Sequence, residues 1–556
     1  MNLLNSNQDR RQLVARVGIG DLSSWPLHPF LFAVYPVAAL LASNIEEMPI
    51  QDAYRSGFAA LIAAMLSLTV LSLIFRNRHR AALLTSLALI LLASYGQLYS
   101  LLKPITLAGL PIGRHRYLLP AIGVALLFAV WVVLRFRNSS SITPTLNLVA
   151  VVAVAIPVIA IASNTIRASF LEPVGQAGSA DMASPLDISG GTELPDVYYI
   201  VLDAYAREDV LEERFGFDNS ELIDSLERRG FYVADSSESN YLRTLFSLTS
   251  SLNANHLADL EVDPLGSQFR RQLEEQLRDS LVRRQLESVG YTTIAVSSSF
   301  APTEIVDADY YLVPNMANIE ALRAQGAING FESMLLTNSI GRLLLDYNTV
   351  RGVSAFSFIA TQLNNAKQIR REIILSAFEH LGKVPAIAGP KFVFAHIVSP
   401  HYPYLFGAKG EIVNYPEPLT FVEKQVLPGE ASWRGYRDQL IYINSQLLET
   451  IDAILESSAD PPIILIQSDH GPATGLDWTD PREPYLTDRS SILNAFFVPE
   501  RCTKYLYPDI SPVNSFRAVF NCSFGSNFDM VPDQTYLDVG VPGGLEFVPL
   551  EDLVDE

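Results

Sequence analysis

Five apolar segments crowd into the first 163 of the chain's 556 residues. A helix needs about 20 consecutive apolar residues to cross the hydrocarbon core of a bilayer, and the last four segments approach or meet that length. The first segment is shorter and contains Pro36. The pattern predicts an all-α polytopic membrane domain over residues 29–163, with about five transmembrane helices at 29–43, 56–75, 81–102, 117–134 and 145–163.

Charge is divided as unevenly as hydrophobicity. Residues 1–163 hold twelve Lys and Arg against five Asp and Glu, a net charge of +7, while the rest of the chain carries −27. A basic, apolar first third followed by an acidic, polar remainder indicates a membrane module joined to a soluble one. Because the acidic part would repel phosphate backbones, nucleic acid is excluded as a partner.

Charges in the loops predict which way the membrane module faces. Cytoplasmic loops carry an excess of Lys and Arg. One set of alternate loops holds eight basic residues (Arg10, Arg11, Arg16, Arg76, Arg78, Arg80, Arg135 and Arg137) and the other holds four (Arg55, Lys103, Arg114 and Arg116). We therefore expect residues 1–28 to be a cytoplasmic segment. Five crossings then place residues 195–556 outside, after a Gly-, Ser- and Pro-rich linker at 164–194.

Strand and helix signals alternate from residue 195 onward. Strand-like apolar runs occur as "DVYYIVLD" (196–203), "YTTIAVSSS" (291–299), "KFVFAHIVS" (391–399) and "PIILIQSD" (462–469), with helical stretches at 265–289 and 435–457 between them. Continuous apolar strands alternating with amphipathic helices indicate an α/β domain with a mostly parallel sheet. Ligands in such domains bind beyond the carboxyl ends of the strands.

Residues suited to metals and phosphate esters stand at those strand ends. Asp203 closes the first run, Asp469 and His470 close the last, and His396 and His401 lie at the end of the third. Each of these residues could instead have an ordinary structural role. Aspartate after a strand is usually a turn or helix-cap residue, and a histidine within an apolar run can be a satisfied core residue.

A candidate hydroxyl nucleophile lies in "SNYLRTLFSLTSSLNAN" (239–255). Thr244 precedes leucines at helical spacing and follows a polar turn, so we expect it at a helix N-terminus. The unpaired N–H groups and the positive dipole end there suit an alkoxide and a phosphoryl group. An ordinary N-cap threonine is the alternative.

Four runs occur in the order and rough spacing of a known family: "YYIVLD", "NYLRTLFSLTSSLN", "HIVSPHYPY" and "IQSDHG". Together they resemble the alkaline phosphatase superfamily. Within it, the chain looks most like the sulfatase-like, membrane-anchored branch that includes lipoteichoic acid synthase. The resemblance covers nearly the whole chain. It implies an α/β alkaline-phosphatase/sulfatase-like domain outside the cytoplasm, anchored by a multi-pass domain in the bacterial cytoplasmic membrane.

The resemblance also implies one divalent metal ion, held by Asp203, Thr244, Asp469 and His470. Lipoteichoic acid synthase has glutamate at the first of these positions, so Asp203 departs from that enzyme while matching the wider superfamily. We expect Mn²⁺, with Zn²⁺, Mg²⁺ and Ca²⁺ as alternatives.

The resemblance implies that Thr244 is the nucleophile and that His401 contacts the substrate's phosphate or leaving group. His396 is a further substrate-binding candidate. A coordinated divalent ion lowers the pKa of a bound oxygen, and attack would form a phospho-threonine that water or an alcohol resolves.

Two departures from the motifs of the superfamily narrow the reactions that we expect this chain to catalyse. The nucleophile region "TLFSL" has no Cys/Ser-x-Pro-x-Arg motif, so formylglycine-dependent sulfatase activity is disfavoured. None of the eight histidines follows His470, which disfavours a second complete metal site.

The sequence thus predicts a metal-dependent phosphotransferase acting on phospholipid head groups or other cell-envelope phosphodiesters. The first alternative is a sulfatase-like hydrolase of phosphate or sulfate esters, and a second is an inactive, membrane-tethered binding protein. A transporter is disfavoured because the apolar cores of the spans carry no charged residue.

Three further points concern single residues and assembly. Arg517 is a further candidate for phosphate contact. Cys502 and Cys522 either form a disulfide or remain free thiols. The oligomeric state is not indicated.

Overall fold

The computed structural model describes residues 25–45, 48–103, 105–107, 110–135, 138–169, 186, 194–260, 262, 264, 269–351, 357–413, 430–472, 485–541 and 544–554. Most of the predicted cytoplasmic segment 1–28 and of the linker 164–194 lies outside these residues. Packing divides the chain into two units. The first comprises Met1–Glu172 and Asn329–Ser357, and the second comprises Pro173–Ile328 and Phe358–Glu556.

All five predicted spans are helical in the first unit. The helices are α1 (His28–Ser43), α2 (Tyr54–Phe75), α3 (Arg78–Ala93), α4 (Tyr95–Leu102), α5 (His115–Arg135) and α6 (Thr143–Ser169), with 3₁₀ turns at Ile50–Ala53 and Ser139–Ser141 and a two-residue ladder of β1 (Thr106–Leu107) and β2 (Leu110–Pro111).

Fewer than five of these helices are both long enough and apolar enough to cross a membrane. Within the described ranges, three helices meet both criteria: Ile50–Phe75, His115–Arg135 and Ser139–Ile166. The α3–α4 pair adds a fourth if it is one span bent by 41°, whereas α1 is shorter. The count of about five spans is therefore not confirmed and stays a prediction.

Helices α13 (Gly330–Asn338) and α14 (Gly341–Arg351) belong to the first unit, although they lie within the 195–556 stretch that the sequence predicts as one domain. Asn329 caps α13 in a reciprocal capping box with Glu332. Its side-chain Nδ2 also donates to the carbonyl of Asp52 (2.9 Å), and Glu332 pairs with Arg55 (3.2 Å). We call Asn329–Ser357, where the chain comes back to the first unit, the returning segment. Its start is thus bonded to the loop between α1 and α2 and to the first turn of α2.

The rest of the returning segment packs on the α3–α4 pair and the start of α5. The backbone N–H of Ile340 donates to the carbonyl of Leu92 (2.8 Å), close to the bend between α3 and α4. A Cβ at Gly96 would overlap the backbone of α13. His115 Nε2 lies 2.8 Å from Asp346 Oδ2 on α14. Residues 329–346 therefore contact both loops that the charge pattern places outside.

A mixed sheet organises the second unit. In the part of this unit that the structure describes, seven strands pair in the order β4–β9–β8–β3–β7–β5–β6. The five strands from β8 to β6 are mutually parallel, and β9 and β4 add antiparallel pairings at one edge. The bounds are β3 Val197–Leu202, β4 Tyr232–Val233, β5 Thr292–Val296, β6 Tyr310–Leu312, β7 Lys391–Ile397, β8 Ile463–Gln467 and β9 Asn494–Phe497.

This arrangement confirms the mostly parallel sheet and all four predicted strands. Strand β3 is central and wholly buried, and its side chains alternate between two apolar layers. Tyr198, Ile200 and Leu202 pack in one layer, while Val197, Tyr199 and Val201 pack in the other. Burial on both faces explains why the strand is a continuous apolar run, as is usual for parallel sheets.

Helices cover both faces of this sheet. The helices described in this unit are α7 (Glu208–Phe215), α8 (Ser220–Arg228), α9 (Thr244–Asn253), α10 (Phe269–Arg278), α11 (Leu281–Ser288), α12 (Met316–Ala324), α15 (Ser357–Lys383), α16 (Glu430–Ser457), α17 (Tyr485–Ser490), α18 (Pro512–Ser523) and α19 (Leu550–Val554), with 3₁₀ turns at Leu257–Asp259, Ala301–Thr303, Val384–Ala386 and Glu500–Tyr505. The predicted helical stretch 265–289 is two helices, because Ser280 caps α11 through its side chain.

The carboxy-terminal region adds two features. Strands β10 (Tyr536–Val541) and β11 (Gly544–Pro549) form an antiparallel hairpin. Cys502 and Cys522 are joined by a disulfide, which links the 3₁₀ turn Glu500–Tyr505 to α18. Of the two alternatives that the sequence left open for these cysteines, the structure has the disulfide.

Candidate active site

Three neighbouring parallel strands deliver acidic and imidazole groups to one edge of the sheet. Asp203 follows β3, His396 lies near the end of β7, and Asp469 follows β8. Strands β8, β3 and β7 are adjacent and parallel, so their carboxyl ends meet. The ligand atoms of Asp203, His396 and Asp469 all lie within 4.8 Å of one another, and all three residues are buried.

The Asp469 carboxylate is oriented by the backbone. Its Oδ1 accepts the N–H of Ala204 (3.1 Å) and the N–H of His470 (3.0 Å). Ala204 has a φ of +64°, a left-handed conformation that is strained for a side-chain-bearing residue. This conformation directly follows Asp203. Two backbone donors on Oδ1 leave Oδ2 turned toward His470, whose Nε2 is 3.3 Å away.

His470 presents a lone pair to the cluster. Its Nδ1 lies 3.0 Å from the carbonyl of Gly471, which can only accept, so Nδ1 carries the proton and Nε2 has the lone pair. That Nε2 lies 3.2 Å from Oγ1 of Thr244 and 4.0 Å from Oδ1 of Asp203.

His396 is oriented in the same manner by a different partner. Its Nδ1 lies 2.9 Å from Oγ1 of Thr303, whose hydroxyl donates to the carbonyl of Phe300 (3.2 Å). The threonine oxygen therefore accepts from Nδ1–H, which leaves the lone pair on Nε2. That nitrogen lies 3.4 Å from Oδ2 of Asp203.

These donors fit a divalent cation. Across the described residues, Asp203 Oδ1, Asp469 Oδ2 and His396 Nε2 are buried and make no hydrogen bond. Leaving a buried carboxylate oxygen unsatisfied is costly, and a metal ion removes that cost. Two carboxylates and two imidazole lone pairs suit Mn²⁺ or Zn²⁺ better than Mg²⁺ or Ca²⁺. The sequence-predicted ligands Asp203, Asp469 and His470 come together here, joined by His396, which the sequence indicated only as a substrate contact.

Thr244 lies beside this cluster at the start of a buried helix. Helix α9 begins at Thr244, and all nine of its later residues, Leu245, Leu248 and Leu252 among them, are buried. Thr244 is the first helical residue rather than the N-cap, a position that Arg243 occupies without a side-chain capping bond. The Thr244 hydroxyl therefore does not serve as an ordinary N-cap. It contacts His470 from the first turn of the helix, at the positive end of the helix dipole.

His401 reaches this edge through its backbone. Its N–H donates to the carbonyl of Asp203 (2.9 Å), and Gln439 donates from its side chain to the carbonyl of His401 (3.1 Å). The imidazole Nδ1 lies 2.6 Å from the carbonyl of Tyr402, on whose ring the imidazole stacks. The loop that carries "PHYPY" is therefore held against the end of β3.

Arg489 is a site residue that the sequence did not indicate. It lies in the short helix α17, is 1% exposed, and directs Nη2 to Nε2 of His470 (3.2 Å). Arg517, the arginine that the sequence did suggest, lies in α18 and donates to the carbonyls of Ala254 and Asp529. No local pattern distinguishes the two arginines, because each lies within a helix.

Gly471 explains how Arg489 comes so close. Its N–H donates to the carbonyl of Arg489 (2.6 Å). A Cβ at position 471 would lie 2.5 Å from the carbonyl oxygen of Asp488 and 3.1 Å from Cα of Arg489. The glycine of "SDHG" is therefore the signal in the sequence that another backbone packs against this turn.

No family model matches this sequence, and no curated protein matches it. Among solved structures, the chain is similar to the C-terminal periplasmic domain of EcEptC from Escherichia coli in complex with Zn (13% identity, 66% of this chain and 97% of that chain, TM-score 0.39). It is also similar to the integral membrane protein lipooligosaccharide phosphoethanolamine transferase A (EptA) from Neisseria meningitidis (11%, 90% and 95%, 0.38). A third is the C-terminal periplasmic domain of phosphoethanolamine transferase EptC from Campylobacter jejuni (12%, 60% and 90%, 0.34). At these TM-scores the likeness supports no inference about the reaction.

Proposed function

We propose that this protein is a membrane-anchored, metal-dependent phosphotransferase that acts outside the cytoplasm on phospholipid head groups or other envelope phosphodiesters. One observation carries the proposal. The Thr244 hydroxyl lies 3.2 Å from Nε2 of His470, beside two buried carboxylates that each have an oxygen without a hydrogen bond. A nucleophile next to a set of metal donors is the arrangement that metal-assisted phosphoryl transfer uses.

The metal ligands in this proposal are Asp203, Asp469, His470 and His396, with Thr244 turned toward them. Mn²⁺ is the expected ion and Zn²⁺ its competitor. A bound divalent cation would lower the pKa of a hydroxyl beside it and neutralise charge on phosphate oxygens.

In the proposed reaction, residues of the chain carry out each bond-forming and bond-breaking step. Oγ1 of Thr244 passes its proton to solvent and attacks phosphorus, while the bond from phosphorus to the leaving alcohol breaks. His401 supplies the proton that the departing oxygen takes up, a form of help typically worth about 10²–10⁴-fold. An alcohol or water then gives its proton to His401 and attacks the phospho-threonine, and the Thr244 oxygen leaves and regains its proton from solvent.

A lipid donor is favoured by the membrane unit. Among the described helices, three are long and apolar enough to cross a bilayer, and the returning segment packs on the loops assigned to its outer side. A catalytic unit tethered to such a membrane unit has lipid head groups as an abundant source of phosphodiesters. A hydrolase that uses the same residues with water as acceptor is the competing function.

The test uses the full-length protein, purified in detergent with Mn²⁺ and incubated with phosphatidylethanolamine or phosphatidylglycerol. Peptide mass spectrometry should find a phosphate-bearing adduct on Thr244, and elemental analysis should find about one metal ion per chain. T244A should lose both the adduct and head-group turnover. The control T503A removes an exposed hydroxyl that bonds only within its own turn, and it should behave as wild type. Full turnover by T244A would show that the nucleophile is another group.

A further inference from the structure

Basic side chains gather around the ring of Tyr99 in the first unit. Tyr99 lies in α4, and His115, the first residue of α5, stacks on its ring with the centroids 4.2 Å apart. The guanidinium carbon of Arg342, from α14, lies 4.8 Å from the centroid of the Tyr99 ring, and Nζ of Lys103 lies 5.8 Å from it. Three separate helices, α4, α5 and α14, thus bring cationic residues to one aromatic ring.

Positive charge exceeds negative charge at this place. Desolvation and repulsion by Arg342 and Arg114 lower the pKa of Lys103, and Asp346 partly opposes them. Asp346 is itself shared, because its Oδ2 lies 2.8 Å from Nε2 of His115 and 3.6 Å from Nε of Arg342. We call Lys103, Arg114 and Arg342 the basic cluster. With Asp346 included, these described residues carry a net charge of +2.

The basic cluster lies at the ends of apolar helices. Lys103 directly follows α4, the second half of the pair that can form one bent span, and Arg114 directly precedes α5, which is long and apolar enough to cross a bilayer. Tyr117 is exposed one turn further on, with Arg116 over its ring (4.8 Å). Tyrosine is enriched at the level of the lipid head groups, and basic residues close to a membrane surface attract anionic lipids.

We propose that Lys103, Arg114 and Arg342 bind the phosphate of an anionic phospholipid head group, at a site that lies wholly in the first unit. This inference goes beyond the proposed function and does not depend on it. An anion offsets the repulsion among the three cations, and both lysine and arginine donate to phosphate oxygens.

The adjoining helix favours a lipid over free phosphate as the ligand. Helix α5 continues from Arg114 with exposed apolar side chains, among them Val124, Leu127 and Phe128. Acyl chains can pack on such a surface while the phosphate of the same molecule contacts the basic cluster.

The test measures lipid binding by native mass spectrometry on full-length protein in detergent, treated with EDTA so that no divalent metal occupies the active site. Wild type should bind phosphatidylglycerol at least about tenfold more tightly than phosphatidylcholine, whose head group has no net charge. K103Q with R114Q should bind phosphatidylglycerol about 25-fold more weakly, since each cation near a membrane surface contributes about fivefold. Its affinity for phosphatidylcholine should change by less than about twofold.

The matched control is R78Q with R135Q. These two arginines also lie over aromatic rings at helix ends, those of Trp25 and Trp131, and Arg135 is at the opposite end of α5 from the basic cluster. The control removes the same total charge, but from a distance at which salt screens the interaction. It should bind phosphatidylglycerol within about twofold of wild type.

Three results would overturn the inference. They are equal affinity of wild type for the two lipids, an equal loss of affinity in the two double variants, and displacement of phosphatidylglycerol by an equimolar amount of inorganic phosphate. The second would mean that the overall charge of the membrane unit attracts the lipid, and the third that the ligand is free phosphate.

Single variants cover the case in which K103Q with R114Q fails to fold. K103Q and R114Q should each bind phosphatidylglycerol about fivefold more weakly, and unchanged affinity in both would refute the site. Because lipid binding is measured without metal, a T244A enzyme that keeps full turnover would refute the proposed nucleophile and leave this inference standing.

Discussion

Replacing Gly471 with alanine tests how tightly the turn after β8 is packed against α17. The new Cβ would lie 2.5 Å from the carbonyl oxygen of Asp488, where ordinary contact begins at 3.4 Å. Relief requires the two backbones to separate by roughly 0.9 Å. That movement stretches the hydrogen bond from Gly471 N–H to Arg489 and the bond from Arg489 Nη1 to Gly471.

The magnitude follows from those parts. Overpacking typically costs about 1–3 kcal/mol, and each weakened buried hydrogen bond contributes about 1 kcal/mol. We expect G471A to lower the free energy of unfolding by about 2–4 kcal/mol, which in a unit of this size corresponds to a fall in Tm of roughly 3–5 °C. Displacement of Arg489 and His470 should also reduce turnover.

Thermal unfolding of the purified protein, followed by circular dichroism, measures this effect. The control is G540A, because a Cβ at Gly540 meets nothing within 4 Å. It should change stability by no more than about 0.5 kcal/mol. If G471A and G540A unfold at the same temperature, the close packing of α17 on this turn is wrong.

Three further perturbations probe other parts of the second unit. Removing divalent metal with a chelator should lower Tm, because a free metal concentration of 100 times Kd stabilises the folded state by about 2.7 kcal/mol. A Tm that changes neither with chelator nor with added Mn²⁺ would contradict the proposed metal site. T303V should weaken metal affinity about 10–100-fold in a metal titration by freeing His396 to rotate, and T303S should restore it. C502S with C522S should lose about 2–4 kcal/mol in urea unfolding, and wild type in reductant should match it.

Much of the second unit could be predicted because its signals are local. The strand runs ending at Leu202, Ile397 and Gln467 are continuously apolar, which is the pattern of strands buried on both faces. Once the strands are parallel, their carboxyl ends share one edge, so the grouping of Asp203 with Asp469 follows. Thr244 was predictable as well, since leucines at helical spacing mark where α9 begins.

The missed features depend on partners far apart in the chain. His396 could be assigned to the cluster only after Thr303, 93 residues away, was found to hold its Nδ1. Arg489 meets Leu242 at a separation of 247 residues. Strand β9 pairs antiparallel with β8, and its run "NAFF" is too short for periodicity to indicate a direction. Periodicity reports which face is buried, but not what lies against it.

The returning segment bears on how this protein can be divided into pieces. The chain passes from one unit to the other three times, after residues 172, 328 and 357. A soluble fragment that begins after the last predicted span would keep α13 and α14 while losing Asp52, Leu92 and His115, which they contact. We expect such a fragment to aggregate more readily than its acidic charge suggests. Joining residue 328 to residue 358 through a short polar linker should restore its solubility, so the second unit is modular only once this excursion is removed.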